Sequence, residues 1–294
     1  MIPIPDSTVG CDYMGTVVQA GPNVKGNWKE GDRIAGVIHG SNKCELTEGA
    51  FAEYALVREG IQMEVPENLS DAEAATTGVA ISTVGLSLYQ QLSLPWPGSI
   101  PANCWLFIYG GSTATGSIAI QFAKLSGAKV VTTCSAKNMD FVKKLGADEA
   151  FDYNDPDCAK KIREYTNDQL HFVLDCFGGS PGTSICAESI SSRGGQICSI
   201  IPGDEYPRTE DVRRNLLLAY KILGEPWDFF GPNPGTTEDY EFGKMFWRLA
   251  AKLLADGKIK VHPPTVREGL EGVIDGLDEM RRGVVSATKL VYKV

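Results

Sequence analysis

The chain has 294 residues, 43% of them hydrophobic and 22% charged, enough to bury a substantial core and long enough for two domains. A net charge of −9 with no run of Lys and Arg argues against nucleic acid as a partner, because such a surface needs clustered cations. The start, Met1-Ile2-Pro3-Ile4-Pro5-Asp6, lacks the basic and apolar regions of a leader, and no apolar run approaches the roughly 18 residues of a membrane span; a cytoplasmic chain with no membrane partner is expected.

Residues 9–54 carry the pattern of β structure. β-branched and aromatic residues alternate or cluster over 15–18, 32–38 and 51–57, and Gly21-Pro22-Asn23, Lys29-Glu30-Gly31 and Glu48-Gly49 supply turns, which predicts an antiparallel, barrel-like module. Ser70 followed by Asp71 and Glu73 marks a helix N-terminus, and the small apolar residues up to Leu88 continue as helices. Residues 94–101 are too rich in proline for a regular element and read as a connector.

The pattern then changes. Short apolar runs at 105–109, 129–134, 172–175 and 196–200 alternate with helical spacing at 117–125, 139–145, 157–165 and 183–190, which predicts βαβ crossovers around a parallel sheet buried on both faces. Beyond Pro202, residues 209–223 read as a helix, and 225–236 is irregular. The aromatic residues Trp227, Phe229 and Phe230 there suit core under a loop or the wall of a pocket. Residues 241–254 and 268–282 have helical spacing, and 289–294 is a closing strand.

The informative stretch is Tyr109-Gly110-Gly111-Ser112-Thr113-Ala114-Thr115-Gly116, a run of small residues between a buried strand and a helix. Small residues let backbone N–H groups approach an anion, and the helix dipole favours negative charge by about 0.3–1 kcal/mol, so the loop reads as a pyrophosphate cradle. It departs from G-x-G-x-x-G, with adjacent Gly110 and Gly111 and with Ala114 where a glycine is usual, and a plain tight turn is the other reading. The next strand ends Thr132-Thr133-Cys134-Ser135-Ala136-Lys137-Asn138 with no acid for a ribose 2′-hydroxyl; Ser135, Lys137 and Asn138 suit a 2′-phosphate, or Ser135 and Asn138 cap the helix that follows. NADPH is the cofactor expected. The eight cysteines are scattered, without C-x-x-C or zinc-ribbon spacing, and read as reduced core thiols.

The segments GCDYMGTVV from Gly10, KEGDRIAGVIHG from Lys29, GAFAEY from Gly49, YGGSTATGSIAIQFAK from Tyr109, KKLGADEAFDY from Lys143, GKIKVHPP and SATKLVYKV resemble the medium-chain dehydrogenase/reductase superfamily. Within it the quinone-reductase-like branch fits best, closest to the fungal trans-acting enoyl reductases of polyketide biosynthesis. The resemblance implies a Rossmann-like doubly wound parallel sheet, residues 81–225, and a split, GroES-like β-rich catalytic domain, residues 1–80 and 226–294. It implies Gly111, Ser112, Thr113, Ala114 and Thr115 at the phosphates, and Ser135, Lys137, Asn138 and Tyr153 around the 2′-phosphate. Thr83, Phe177 and Ile200 fall near the nicotinamide, and Lys289 matches a C-terminal lysine position. Zinc-dependent relatives carry Gly-His-Glu where this chain has Gly10-Cys11-Asp12, and Cys11, His39 and Cys44 do not reproduce a ligand pattern, so no metal is expected. His39, His171 and His262 read as surface or core histidines.

The implied reaction is hydride transfer from NADPH to the β-carbon of an α,β-unsaturated acyl thioester. The substrate is carrier-tethered or coenzyme-A-like, a polyketide synthase is the partner, and Tyr13 or a water supplies the proton. A quinone or enone reductase for small free substrates is the alternative. Relatives have further N-terminal strands before Val9; this implies a cut-short catalytic domain or an internal start, an exposed sheet edge, and a second alternative of NADPH binding without turnover.

Overall fold

The computed structural model describes residues 4–202 and 205–294. They fall into two compact units, the chain up to Ser82 together with Ala219–Val294, and Thr83–Leu218.

The first unit opens with an antiparallel sheet of β1 (Asp12–Thr16), β2 (Arg33–Val37) and β3 (Gln62–Glu64), in the order β1-β2-β3, with Asp12 opposite Val37 and Ala35 opposite Met63. Residues 51–57, expected as a strand, do not join it. Ala50 and Phe51 donate to the carbonyls of Gly10 and Val9, but beyond them Tyr54 and Leu56 stand 75% and 82% exposed, while β3 pairs with β2 at the other edge. Helix α1 (Asp71–Ala74) starts at Ser70, whose hydroxyl accepts from the Glu73 N–H while the Glu73 carboxylate accepts from the Ser70 N–H, a reciprocal capping box. Helix α2 (Gly78–Val84) runs on as π-helix through Gly85–Gln91.

The second unit is built on six parallel strands: β4 (Trp105–Tyr109), β5 (Lys129–Cys134), β6 (Glu149–Asp152), β7 (Leu170–Asp175), β8 (Gly195–Ser199) and β9 (Val212–Leu216). Helices α3 (Ala114–Leu125), α4 (Met139–Lys144), α5 (Cys158–Tyr165) and α6 (Gly182–Ser189) make the crossovers. The order β6-β5-β4-β7-β8-β9 is the doubly wound dinucleotide-binding order, in which the connections change direction between β4 and β7. Such strands have no wet face, which is why Leu106, Phe107, Ile108, Val130, Val131, Val173, Leu174 and Ile197 are all fully buried.

Residues 212–216 correct the helix expected at 209–223. Arg213, Arg214 and Asn215 give the stretch no strand-like apolar run, yet β8 pairs with it from Gly195–Val212 to Ser199–Leu216. The expectation also placed residues 219–225 in the nucleotide-binding domain. Ala219–Leu223 instead forms a 3-10 turn in the first unit, where Ile222 lies so close to Gly243 that a Cβ there would come within 2.6 Å.

The first unit resumes with the short pair β10 (Trp227–Asp228) and β11 (Pro232–Asn233), then helix α7 (Thr237–Ala255), whose Trp247 is buried and donates its indole N–H to Ser82. Strands β12 (Pro264–Glu268) and β13 (Lys289–Lys293) pair in parallel on either side of α8 (Val273–Arg281). No helix among the described residues is long and apolar enough to cross a membrane. All eight cysteines are free; Cys44 is exposed, Cys11 and Cys104 are half-buried and five are buried.

Candidate functional site: the carboxyl edge of the parallel sheet

Three groups of the expected residues emerge side by side where the strands of the second unit end. In a doubly wound sheet this edge, at the change of direction, is where ligands bind. The first group follows β4. Gly110 turns the chain at φ +84°, and its N–H and that of Gly111 donate to the Thr133 hydroxyl (3.2 Å) and carbonyl (2.9 Å). Gly111 is packed so tightly that a Cβ would lie 2.1 Å from the Thr132 hydroxyl oxygen, and one on Gly116 would lie 2.3 Å from the Gly110 carbonyl oxygen. These two glycines let α3 and the loop close on the sheet.

Thr113 caps α3, its hydroxyl accepting from the Gly116 N–H at 3.0 Å and donating to the Gly110 carbonyl at 2.8 Å. That side chain therefore shapes the loop, and its hydroxyl proton is already committed. Among the described residues the N–H groups of Ser112, Ala114 and Thr115 meet no acceptor, and they open at the positive end of a twelve-residue helix. The arrangement fits a pyrophosphate.

The second group stands at the tips of β5 and β6, where Cys134 pairs with Asp152 so that Ser135 and Tyr153 leave the sheet next to each other. Asn138 donates its side-chain N–H to the Ser135 hydroxyl at 3.2 Å, and neither side chain makes a capping bond to the helix that follows, against the capping reading. Lys137 is exposed and Tyr153 is 37% exposed. The nearest carboxylate in register, Asp152, is turned to its own bend, accepting from the N–H and side chain of Asn154.

The third group follows β7 and β8, whose last pair is Asp175 with Ser199. Phe177 is 65% exposed on the turn after β7, and Ile200 donates its N–H to the Asp175 carbonyl. Asp175 and Tyr206 also meet here, and their one sequence signal is a carboxylate closing an apolar strand ahead of Gly178-Gly179. Thr83 is buried in α2, 2% exposed.

Two of the expected residues belong to the first unit. Lys289 forms an ion pair with Asp12 at 2.7 Å, while the other Asp12 oxygen accepts the Val79 N–H at 2.7 Å. The pair ties β13, β1 and the start of α2 together. Tyr13, the other, has its ring 9% exposed in a cluster with Ile34 and Ile38, flanked by Val17, Trp28 and Val57, and burial drives its phenol pKa up.

Close by, the Cys11 thiol lies 3.7 Å from the Tyr220 hydroxyl, and Tyr220 stacks on buried His39 with ring centroids 3.6 Å apart. Burial lowers the pKa of His39 and of His262 to about 4, so both are neutral near pH 7. No three His, Cys, Asp or Glu side chains converge as metal ligands among the described residues.

Residues 1–67 match the family model described as alcohol dehydrogenase GroES-like domain, and residues 114–202 match the one described as zinc-binding dehydrogenase. The trans-enoyl reductase ACTTS2 of Alternaria alternata is 41% identical over 293 residues, covering 99% of this chain and 84% of that protein. A quinone oxidoreductase of Pseudomonas syringae superposes with a TM-score of 0.75 at 22% identity, over 98% of this chain and 83% of that one. The CurK enoyl reductase does so with a TM-score of 0.75 at 17% identity, over 98% and 80%. At those identities the solved structures establish the fold.

Proposed function

The chain belongs to the trans-enoyl reductases of the medium-chain dehydrogenase/reductase superfamily, and from that we propose that it is an NADPH-dependent, zinc-independent enoyl reductase of fungal polyketide biosynthesis. Its substrate is an α,β-unsaturated acyl thioester, tethered to the carrier of a partner synthase. Thr83–Leu218 is the NADPH-binding domain and the remainder is the GroES-like catalytic domain.

The observation that carries the cofactor reading is the cradle of three free N–H groups at the start of α3, with Gly111 and Gly116 pressed into the sheet and loop behind it. When bound, the nicotinamide supplies hydride to the β-carbon of the acyl chain. The α3 loop holds the pyrophosphate, and Ser135, Lys137, Asn138 and Tyr153 surround the 2′-phosphate. Lys137 contributes a fixed positive charge there, and Asp152, engaged with Asn154, leaves the phosphate unopposed. Phe177, Ile200 and Thr83 would border the nicotinamide. With Tyr13 in the core, the α-carbon takes its proton from water. Preference for NADPH over NADH, independence from zinc and the acyl substrate are supported by these residues and by the family, and one assay tests them together.

That assay follows loss of NADPH absorbance, and of NADH absorbance in parallel, with a short enoyl thioester and with a quinone, with and without a chelator, after NADPH binding is measured by fluorescence. Turnover of the thioester, undiminished by the chelator, is expected. Turnover of the quinone alone would move the chain to small free substrates, and binding without turnover of either would refute the reductase reading.

A further inference from the structure

Asp175 ends β7 with its side chain fully buried. One carboxylate oxygen accepts the N–H of Phe177 at 2.9 Å and of Gly178 at 2.8 Å, and the other accepts the Tyr206 hydroxyl. None of these three donors is a cation. Burying a carboxylate on neutral donors alone is unfavourable against an apolar residue of similar size, so packing does not account for its presence.

Its bonds do something more specific. The pair on the first oxygen clamps the turn after β7, where Gly178 and Gly179 take φ +68° and +69° and Phe177 is held outward at 65% exposure. The bond on the second oxygen ties in the stretch that follows β8 and contains Tyr206. The clamp thereby fixes where the Phe177 ring is presented at the carboxyl edge of the sheet. This turn also borders the phosphate loop: a Cβ built on Gly110 would lie 3.7 Å from the Cys176 Cβ and 3.8 Å from the Phe177 Cβ.

We propose that Asp175, with the Tyr206 hydroxyl, is a positioning residue that fixes Phe177 beside the phosphate loop so that its ring meets the nicotinamide half of the bound dinucleotide. The inference rests on the dinucleotide reading above. It separates the two ends of the cofactor, because the adenosine end sits on the tips of β5 and β6, which share no hydrogen bond with the clamp. Removing the Tyr206 hydroxyl leaves one Asp175 oxygen buried without a donor and loosens the turn.

The test compares wild type with Tyr206→Phe and Asp175→Ala, using NADPH and 2′,5′-ADP, which lacks the nicotinamide half. In Tyr206→Phe, 2′,5′-ADP affinity stays within about twofold, NADPH affinity falls about five- to tenfold, and kcat with the enoyl thioester falls about tenfold, in keeping with the sensitivity of transfer to small misplacements. Asp175→Ala shows the same pattern with larger losses; should it fail to fold, Tyr206→Phe still decides. Equal weakening of both ligands means a merely structural role, and unchanged affinities with unchanged kcat mean no role; either overturns the proposal. Wild type that binds neither ligand refutes the dinucleotide reading itself, a result distinct from wild type that binds NADPH as well as the Tyr206→Phe variant does.

Discussion

Gly111 has no room for a side chain, and the obstacle is not a mobile group. The Thr132 hydroxyl that a Cβ would strike donates to the Ile108 carbonyl at 2.6 Å in the middle of the sheet. Gly111→Ala should therefore cost about 1–3 kcal/mol of stability by overpacking, read as a lower urea midpoint, and should abolish NADPH binding by displacing the loop. Lys137 is the opposite kind of residue, exposed and tied to nothing internal. Lys137→Ala should leave the urea midpoint unchanged and weaken NADPH about tenfold at low salt, with little change for NADH and a smaller effect as salt rises. Equal losses for NADPH and NADH would remove Lys137 from the 2′-phosphate. The places of both residues in the fold were legible in the sequence, because a small residue in a strand-to-helix turn and a cation at a strand tip are local features. Tyr13 was not, since only the packing of Ile34, Ile38 and Trp28 around it makes it core.

Helix α3 depends on Thr113, which satisfies one of the orphan N–H groups of the first turn and also holds the Gly110 carbonyl. Thr113→Ala should cost about 1 kcal/mol, measured by denaturation. It should also weaken NADPH binding, even though the hydroxyl is committed internally, because the loop loses its brace. Thr113→Ser, which keeps the hydroxyl, should restore most of both. Strand β9 teaches the complementary lesson. Its residues lack a strand's apolar run, and the edge of β8 supplies the hydrogen bonds that make it one. Residues 51–57 show the reverse case, a strand-like sequence that makes two backbone bonds beside β1 and then leaves the sheet.

At the scale of the whole chain, acid should act mainly through the first unit, which holds both deeply buried histidines. His39 and His262 have pKa values lowered to about 4 by burial, against about 6.5 when unfolded. Between those values the unfolded chain binds protons that the folded one refuses, so stability is steady above about pH 6.5 and falls as pH drops towards 4. Urea midpoints at pH 7, 5.5 and 4.5 check the sign, and His262→Gln should flatten the fall. The change from a β pattern to alternating strands and helices was visible after the proline-rich connector at 94–101, whereas the return of the chain to the first unit at Ala219 had no such signal.

By itself the sequence determined the strand–loop–helix cradle, the alternation of strands and helices that makes the sheet parallel, the capping box at Ser70 and the family to which the chain belongs. All of these are patterns of neighbours, set by steric and hydrogen-bonding preferences over a few residues. Only the tertiary structure decided that Tyr13 is core, that Lys289 is spent on Asp12, that residues 212–216 form a strand, and that Asp175 and Tyr206 meet. Each of those outcomes joins residues far apart in the chain, and a contact of that kind has no local pattern to announce it.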